Sequence, residues 1–268
     1  MNKNINNKEC PSWQDISEIA HQSFDKTRVH NDDDDIGELE EMADFFNARA
    51  ERYDIVHVGH LDGGIESKHI IASFLPEHTQ KIIDFGIGTG LELEEIFKRF
   101  PNVEVTGLDI AENMLQLLKE KYHDKNILLY RKSYLDFDFG RSCYDAALSV
   151  MTLHHYDHET KTKLYRRIHD CLKQNGIYIE CDYILTELTG SEHKDLQALE
   201  DYYFSEYERI KKEQGITDDR EYHYDTPCTV SNQIKMLLNA GFKSAGVVEK
   251  WKNSCIIIAS TNEVLTKY

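Results

Sequence analysis

Three glycines at alternate positions, Gly86, Gly88 and Gly90, stand in the run Ile82-Ile83-Asp84-Phe85-Gly86-Ile87-Gly88-Thr89-Gly90, where an apolar strand must turn into a helix. Glycine tolerates such a turn and leaves room for ligand atoms against the backbone, the use that dinucleotide sites make of it. The spacing is not theirs: G-x-G-x-x-G needs its third glycine three positions after the second, where Leu91 stands. Charge separates the ligands further. Glu92, Glu94 and Glu95 crowd the helix start, where a pyrophosphate would meet anions. A positively charged, phosphate-free nucleoside is compatible with them and with Asp84. The glutamates equally suit plain complementation of the helix dipole.

Asp109 ends the next strand, in Gly107-Leu108-Asp109-Ile110, where a carboxylate can accept both hydroxyls of a ribose; the competing reading is a helix N-cap. Ile110 would then flank the base. Beyond the fourth strand, His154 and His155 would sit at the mouth of such a site, and either imidazole can take a proton from a phenol, alcohol or protonated amine. A pair that only orients backbone or shapes the pocket is the alternative. Metal binding by His154, His155 and His158 lacks an evident carboxylate partner at ligand spacing, so no metal is expected. Farther on, Tyr202, Tyr203, Phe204 and Tyr207 share one helix, and Tyr222, His223 and Tyr224 precede Pro227. They read as a lid whose aromatic faces suit a cationic or flat acceptor. The plainer reading makes Leu196, Leu199, Tyr203 and Ile210 a packing stripe. Arg209 and Arg220 would instead suit an acidic substrate.

The elements that must position these residues follow an α/β rhythm. Strands are expected at Lys81 to Phe85, Val103 to Leu108, Ile127 to Tyr130, Tyr144 to Val150 and Ile177 to Cys181. Helices are expected at Leu91 to Phe100, Ala111 to Tyr122 (Met114, Leu115, Leu118 and Tyr122 on one stripe) and Lys161 to Leu172. This is the sequence image of a parallel sheet covered on both faces. Ahead of it, a polar and acidic extension (1–45, with the run Asp32 to Asp35) leads into an amphipathic helix from Glu38 carrying Leu39, Met42, Phe45 and Phe46. A break around Gly59 to Gly64 precedes a second helix from Ile65 to Leu75. After the fifth strand the rhythm is interrupted by the lid insertion, about 185–226. Val230 to Ala240 resumes as a helix closed by Gly241, and Ser244 to Val248 and Cys255 to Ser260 end the chain as an antiparallel pair. The domain so outlined is 46–268.

Composition narrows the partners. No apolar run approaches the roughly 18 residues of a membrane span, and the first residues carry no secretory signal, so a cytoplasmic protein is expected. Six scattered cysteines form no C-x-x-C pair. A formal charge of −17 makes nucleic acid a poor partner, because that affinity depends on lysines and arginines displacing counterions.

With these segments in place, the chain resembles the class I S-adenosylmethionine-dependent methyltransferases of the stand-alone, small-molecule type, from Phe46 to Ser260. The resemblance rests on the IDFGIGTG loop, the GLDI strand end, Arg131 to Phe137, Tyr144 to His155, and Leu172 to Ile177. It implies a Rossmann-like sheet, mostly parallel with an antiparallel final strand, and S-adenosylmethionine as methyl donor with S-adenosylhomocysteine as product. It also implies Ser133 and Tyr134 beside the adenine, Ser149 and Val150 beside the methionine part, and Tyr53 and Met114 near the ligand. Many relatives carry an acidic residue where Ser133 stands, so that contact to the adenine amino group falls to Ser133 Oγ or is lost. The expected reaction is in-line methyl transfer to a small molecule. Its rivals are a carboxy-S-adenosylmethionine synthase, a catalytically silent S-adenosylmethionine-binding regulator, and a NAD-dependent oxidoreductase, against which the glycine spacing argues. The acceptor and the oligomeric state are not readable from the sequence.

Overall fold

A computed structural model of the chain describes residues 38–56, 62–185 and 196–263. The acidic run Asp32 to Asp35, most of the expected extension, part of the break before Gly64 and the start of the lid insertion lie outside the described residues. In chain order these residues form α1 (Met42–Val56), α2 (Gly64–Ile70) continued by a 3-10 turn (Ile71–Phe74), β1 (Lys81–Phe85), α3 (Leu93–Arg99) and β2 (Glu104–Asp109). Next come α4 (Glu112–Lys121), β3 (Ile127–Arg131), β4 (Tyr144–Val150), a 3-10 turn (Leu153–His155), α5 (His158–Cys171) and β5 (Leu172–Leu185). The last are α6 (Leu196–Glu213), β6 (Cys228–Thr229), α7 (Val230–Ala240), β7 (Ser244–Lys250) and β8 (Ser254–Ser260).

The strands lie in the order β3-β2-β1-β4-β5-β8-β7, with β6 paired to β5. The first five run parallel, and β8 runs antiparallel to both β5 and β7. Strands buried on both faces need apolar residues at every position, which is why β1 reads Ile82-Ile83 and β8 Ile256-Ile257-Ile258. One face packs Ile83, Leu108, Tyr178 and Ile257 under α5 and α7; the other packs Ile82, Val105, Ile179 and Ile256 under α3 and α4. Phe85 at the end of β1 lies in register with Leu108 and Ser149, so β1, β2 and β4 finish together. Their carboxyl ends, at the point where strand order reverses about β1, open the crevice where such sheets bind ligands.

Three elements differ from the sequence expectation, each for a tertiary reason. Residues 38–41 are not helical, because Glu41 bridges Tyr222 in antiparallel pairing, the Glu40 carbonyl accepts from His223 N–H, and Leu39 N–H donates to Gln214. The boundary placed at 45/46 consequently falls inside α1. The expected helix Ile65 to Leu75 changes to 3-10 geometry at Ile71. The fifth strand extends well past both expected ends because β4, β8 and β6 all pair with it. Gly241 does cap α7, with a φ of 117°.

Candidate active site

Leaving β1, the chain folds back on β2: the N–H groups of Gly86 and Ile87 both donate to the Leu108 carbonyl, at 2.8 and 3.1 Å. The three glycines serve different ends. Gly86 (φ 67°) has no room for a side chain, since a Cβ would lie 2.1 Å from Thr152 Oγ1. Gly88 (φ 52°) donates its N–H to Asp109 Oδ2 at 2.9 Å, and the nearest atom to a Cβ built there would be 3.9 Å away, so its free side is open. Gly90 is packed under Leu93 and Leu118, fixing α3 against α4. Gly86 and Gly88 line a cavity; Gly90 supports it from behind.

Asp109 is buried, and its Oδ1 accepts from Ala111 N–H at 2.8 Å. Burial pushes its carboxyl up to about 6, while the backbone N–H groups of Ala111, Gly88 and Ile110 resist that rise. It therefore remains ionised at neutral pH. The Asp109–Ala111 bond is a local turn, so part of the capping alternative is real, yet Asp109 also faces the cavity. Asp84, two residues before the glycines, is fully enclosed and neither carboxylate oxygen has a partner among the described residues. Burial and the neighbouring Glu92 carboxyl both push Asp84 well above the usual carboxylate range. Such a site lacks a cation or a hydrogen-bond donor.

The cavity lies between these strand ends and α1. Its floor is Gly86, Gly88, Asp109 and Ile110; Met114 and Tyr134 form one side, Met151, Thr152, His155 and Tyr156 another, and Met42, Phe46, Tyr53 and Glu221 the roof. Met151 adopts a φ of 54°, a left-handed conformation rare outside glycine and often found where a site imposes it.

Beside this cavity lies an outer chamber of about 380 Å³, walled by Leu135, Phe204, Tyr207, Tyr222, Glu208, Lys211 and Arg220, among others. Met42, His155, Tyr156 and Glu221 line both spaces and so form the junction. Arg220 is paired with Glu41 and Asp218, at 2.9 and 2.8 Å, and Lys211 lies over the Tyr207 ring. No Lys or Arg among the described residues lines the inner cavity.

The two histidines have separate environments. His154 Nδ1 is 2.5 Å from Asp182 Oδ1, and its Nε2 is 3.4 Å from Asp225 Oδ1. Burial opposes its charge, but the two carboxylates overcome that and lift it to about 9. His154 is thus an enclosed imidazolium. His155 is held down by burial and by the charge of His154, which keeps it neutral. Its Nδ1 lies 3.1 Å from the Tyr224 carbonyl and 3.3 Å from Asp225 Oδ1, and its buried Nε2 has no hydrogen-bond partner among the described residues. Donation from Nδ1 to an oxygen leaves the Nε2 lone pair unengaged.

Carboxylates that the sequence did not pair with these histidines do reach them: Asp225 joins His154 and His155, and Glu200 with Cys228 joins His158. In the first group, Asp225 Oδ1 lies 3.4 Å from Nε2 of the protonated His154, a charge-pairing distance, and 3.3 Å from His155 Nδ1.

Of the expected site residues, Tyr53, Gly86, Gly88, Asp109, Ile110, Met114, Tyr134 and His155 come together in the inner cavity. Asp84 and Gly90 lie behind the loop. Ser149 is enclosed away from the cavity, its hydroxyl 2.6 Å from Tyr178 OH, in a buried network with Glu180 and Tyr165. Val150 follows it in β4 and packs with Met151 and Tyr183. Ser133 Oγ accepts from Leu135 N–H, closing its own turn. In the lid, Tyr207 and Tyr222 reach the outer chamber, whereas Tyr202 is 50% exposed with Tyr203 edge-on against it. His223 stacks on Phe45 at 3.5 Å and lies 4.9 Å from the His155 ring, supporting the junction from behind. Met42, Phe46, Met151, Thr152, Tyr156 and Glu221 were not anticipated at the site. Tyr156 adjoins the histidine pair in sequence, and Met42 and Phe46 belong to the apolar stripe already noted; Glu221 carries no local signal.

This fold and crevice agree with comparisons to known proteins. Residues 82–176 match the family model described as a methyltransferase domain. A carboxy-S-adenosyl-L-methionine synthase from Nautilia profundicola is 29% identical over 196 residues, spanning 71% of this chain and 80% of the relative. A putative O-methyltransferase from Nostoc punctiforme superposes with a TM-score of 0.61 at 19% identity, covering 91% of this chain and 68% of its own. Human N-acetylserotonin methyltransferase, solved in complex with S-adenosylmethionine, superposes at 0.58 with 12% identity, covering 92% and 66%. Residues 82–176 form a methyltransferase domain, and the mostly parallel sheet with its antiparallel final pair matches the Rossmann-like fold of S-adenosylmethionine-dependent methyltransferases. The chain is an enzyme that uses S-adenosylmethionine.

Proposed function

We propose that this enzyme transfers the methyl group of S-adenosylmethionine, by in-line displacement, to a small molecule seated in the outer chamber. The observation that carries the reading is the junction, where His155, its Nε2 unpartnered among the described residues, lines both the donor cavity and that chamber. Asp109 would accept the ribose hydroxyls, Ile110, Met114 and Tyr134 would enclose the adenine, and the backbone of Gly86 and Gly88 would pass close beneath the donor. Bound there, the donor supplies an electrophilic methyl group on a sulfonium, and alignment provides much of the acceleration. His155 takes the acceptor's proton at Nε2, with its tautomer held by the Tyr224 carbonyl. Tyr207 and Tyr222 wall the acceptor as parts of a lid. Free thiols at the five described cysteines suit a reducing, cytoplasmic compartment.

Formation of a carboxylated donor, as the name of the Nautilia relative describes for that protein, would call for a cation facing the sulfur. The described inner cavity offers none, and Arg220 is engaged by two acids. Titration calorimetry with S-adenosylhomocysteine, followed by its release from S-adenosylmethionine over an acceptor panel, tests the proposal. Binding with acceptor-dependent turnover is expected. Absence of binding would remove it.

A further inference from the structure

Resting on the methyl-transfer reading above, we infer that the acceptor is a small amine, held as its ammonium by Glu221 against the aromatic wall of the junction and deprotonated by His155. Three observations carry this. The first is the charge at the junction: of its four residues, Met42, His155, Tyr156 and Glu221, only Glu221 is an acid and none is Lys or Arg. An anionic acceptor would have to approach the donor past that carboxylate.

The second is how Glu221 is held. Its backbone carbonyl accepts from Met42 N–H at 2.8 Å, and Tyr156 OH donates to its Oε2. Burial, with Tyr134 and Glu221 nearby, drives the Tyr156 phenol well above its ordinary range, so it stays a neutral donor. Among the described residues, nothing donates to Glu221 Oε1. One carboxyl oxygen is therefore held and the other open, the arrangement that an N–H donor bearing positive charge requires.

The third is the wall itself. Phe46 and Tyr156, with Tyr134 5.9 Å from the Tyr156 ring, stand around this carboxylate, and aromatic faces attract ammonium groups. Phe46 also lies edge-on to His155, centroids 6.2 Å apart, placing cation recognition and proton acceptance side by side. The step balances without any further reactant. One N–H proton passes to His155 Nε2; the freed nitrogen lone pair forms the N–CH3 bond as the S–CH3 bond breaks, and that bond's electron pair returns to sulfur, leaving a neutral thioether and a methylated ammonium.

The test uses the full chain with a panel of propylamine, N-methylbenzylamine and phenethylamine against phenol, catechol and benzoate, reading release of S-adenosylhomocysteine. Methylation of amines with at least tenfold higher kcat/KM than of the hydroxyl and carboxyl compounds is expected. Glu221→Gln should raise the amine KM tenfold or more and leave the affinity for S-adenosylhomocysteine unchanged. Preferred turnover of catechol or benzoate, or no amine turnover by a protein that binds S-adenosylhomocysteine, would overturn the amine assignment alone. If Glu221→Gln weakens S-adenosylmethionine but not S-adenosylhomocysteine, Glu221 serves the sulfonium and the assignment falls. Failure of the unaltered protein to bind S-adenosylhomocysteine would overturn the methyl-transfer reading itself.

Discussion

Asp109 Oδ2 accepts the Gly88 N–H at 2.9 Å, so the carboxylate ending β2 holds the glycine loop in place while its remaining lone pairs face the cavity. Hydrogen bonds to a charged partner contribute about 1.5–3 kcal/mol each. Asp109→Ala should accordingly weaken S-adenosylhomocysteine binding about 10- to 100-fold by calorimetry. Because the carboxyl titrates near 6, affinity in the unaltered protein should decline as pH falls through that value. An affinity indifferent to the substitution would withdraw the ribose assignment.

His155 and Tyr224 fix a tautomer. With Nδ1 donating to the carbonyl, His155→Gln keeps a polar side chain but cannot accept a proton at the junction. General-base catalysis contributes about 10²–10⁴-fold. The kcat is expected to fall by at least about 100-fold, with little change in affinity for S-adenosylhomocysteine. An unaltered kcat and pH profile would leave His155 a purely structural role.

His154 and Asp182 form an enclosed charge pair whose worth depends on pH. The imidazolium pKa is raised to about 9 from an ordinary 6.5, so its stabilisation is complete below about 6.5 and is lost as pH rises through about 9. The size is on the order of 3 kcal/mol. Thermal melts should show Tm falling between pH 7 and 10, and His154→Gln should lower Tm at pH 7 while flattening that slope. A melting temperature equally pH-dependent in the variant would assign the effect to another group.

Gly86 and Gly88 make opposite predictions under the same substitution. Gly86→Ala drives a methyl group into Thr152 and should destabilise the whole domain in denaturant titrations. Gly88→Ala meets nothing closer than 3.9 Å and costs only the left-handed backbone, about 1–2 kcal/mol. It should fold and yet lose affinity for S-adenosylhomocysteine at least tenfold, because its methyl group occupies ligand space. Equal binding by this variant and the parent would remove Gly88 from the cavity floor.

How much of this was legible in the sequence follows from the range of each interaction. The bounds of β4 and α7 coincide with those read from pattern alone, since both are set by local apolar periodicity and, for α7, by Gly241. The glycine loop and Asp109 were readable because a tight turn restricts residue type. Ser149 was placed beside the ligand, but its side chain is claimed by Tyr178 on β5, a partner that a linear motif cannot display. The fates of His154 and His155 diverge through Asp182 and Asp225, which reach them from distant segments. Glu221 stands at the junction only because its segment pairs with the chain ahead of α1, so no pattern around it announced a role.

That pairing of Glu41 with Tyr222 joins stretches of polypeptide about 180 residues apart in sequence, whereas β1, β2 and β3 pair in consecutive order and β4 returns to β1 over a far shorter span. Contacts between remote segments form late, because the intervening loop must first be closed. The sheet can thus be complete while its ligand crevice is still unroofed, and the enzyme becomes competent only once the stretch that follows α6 has docked.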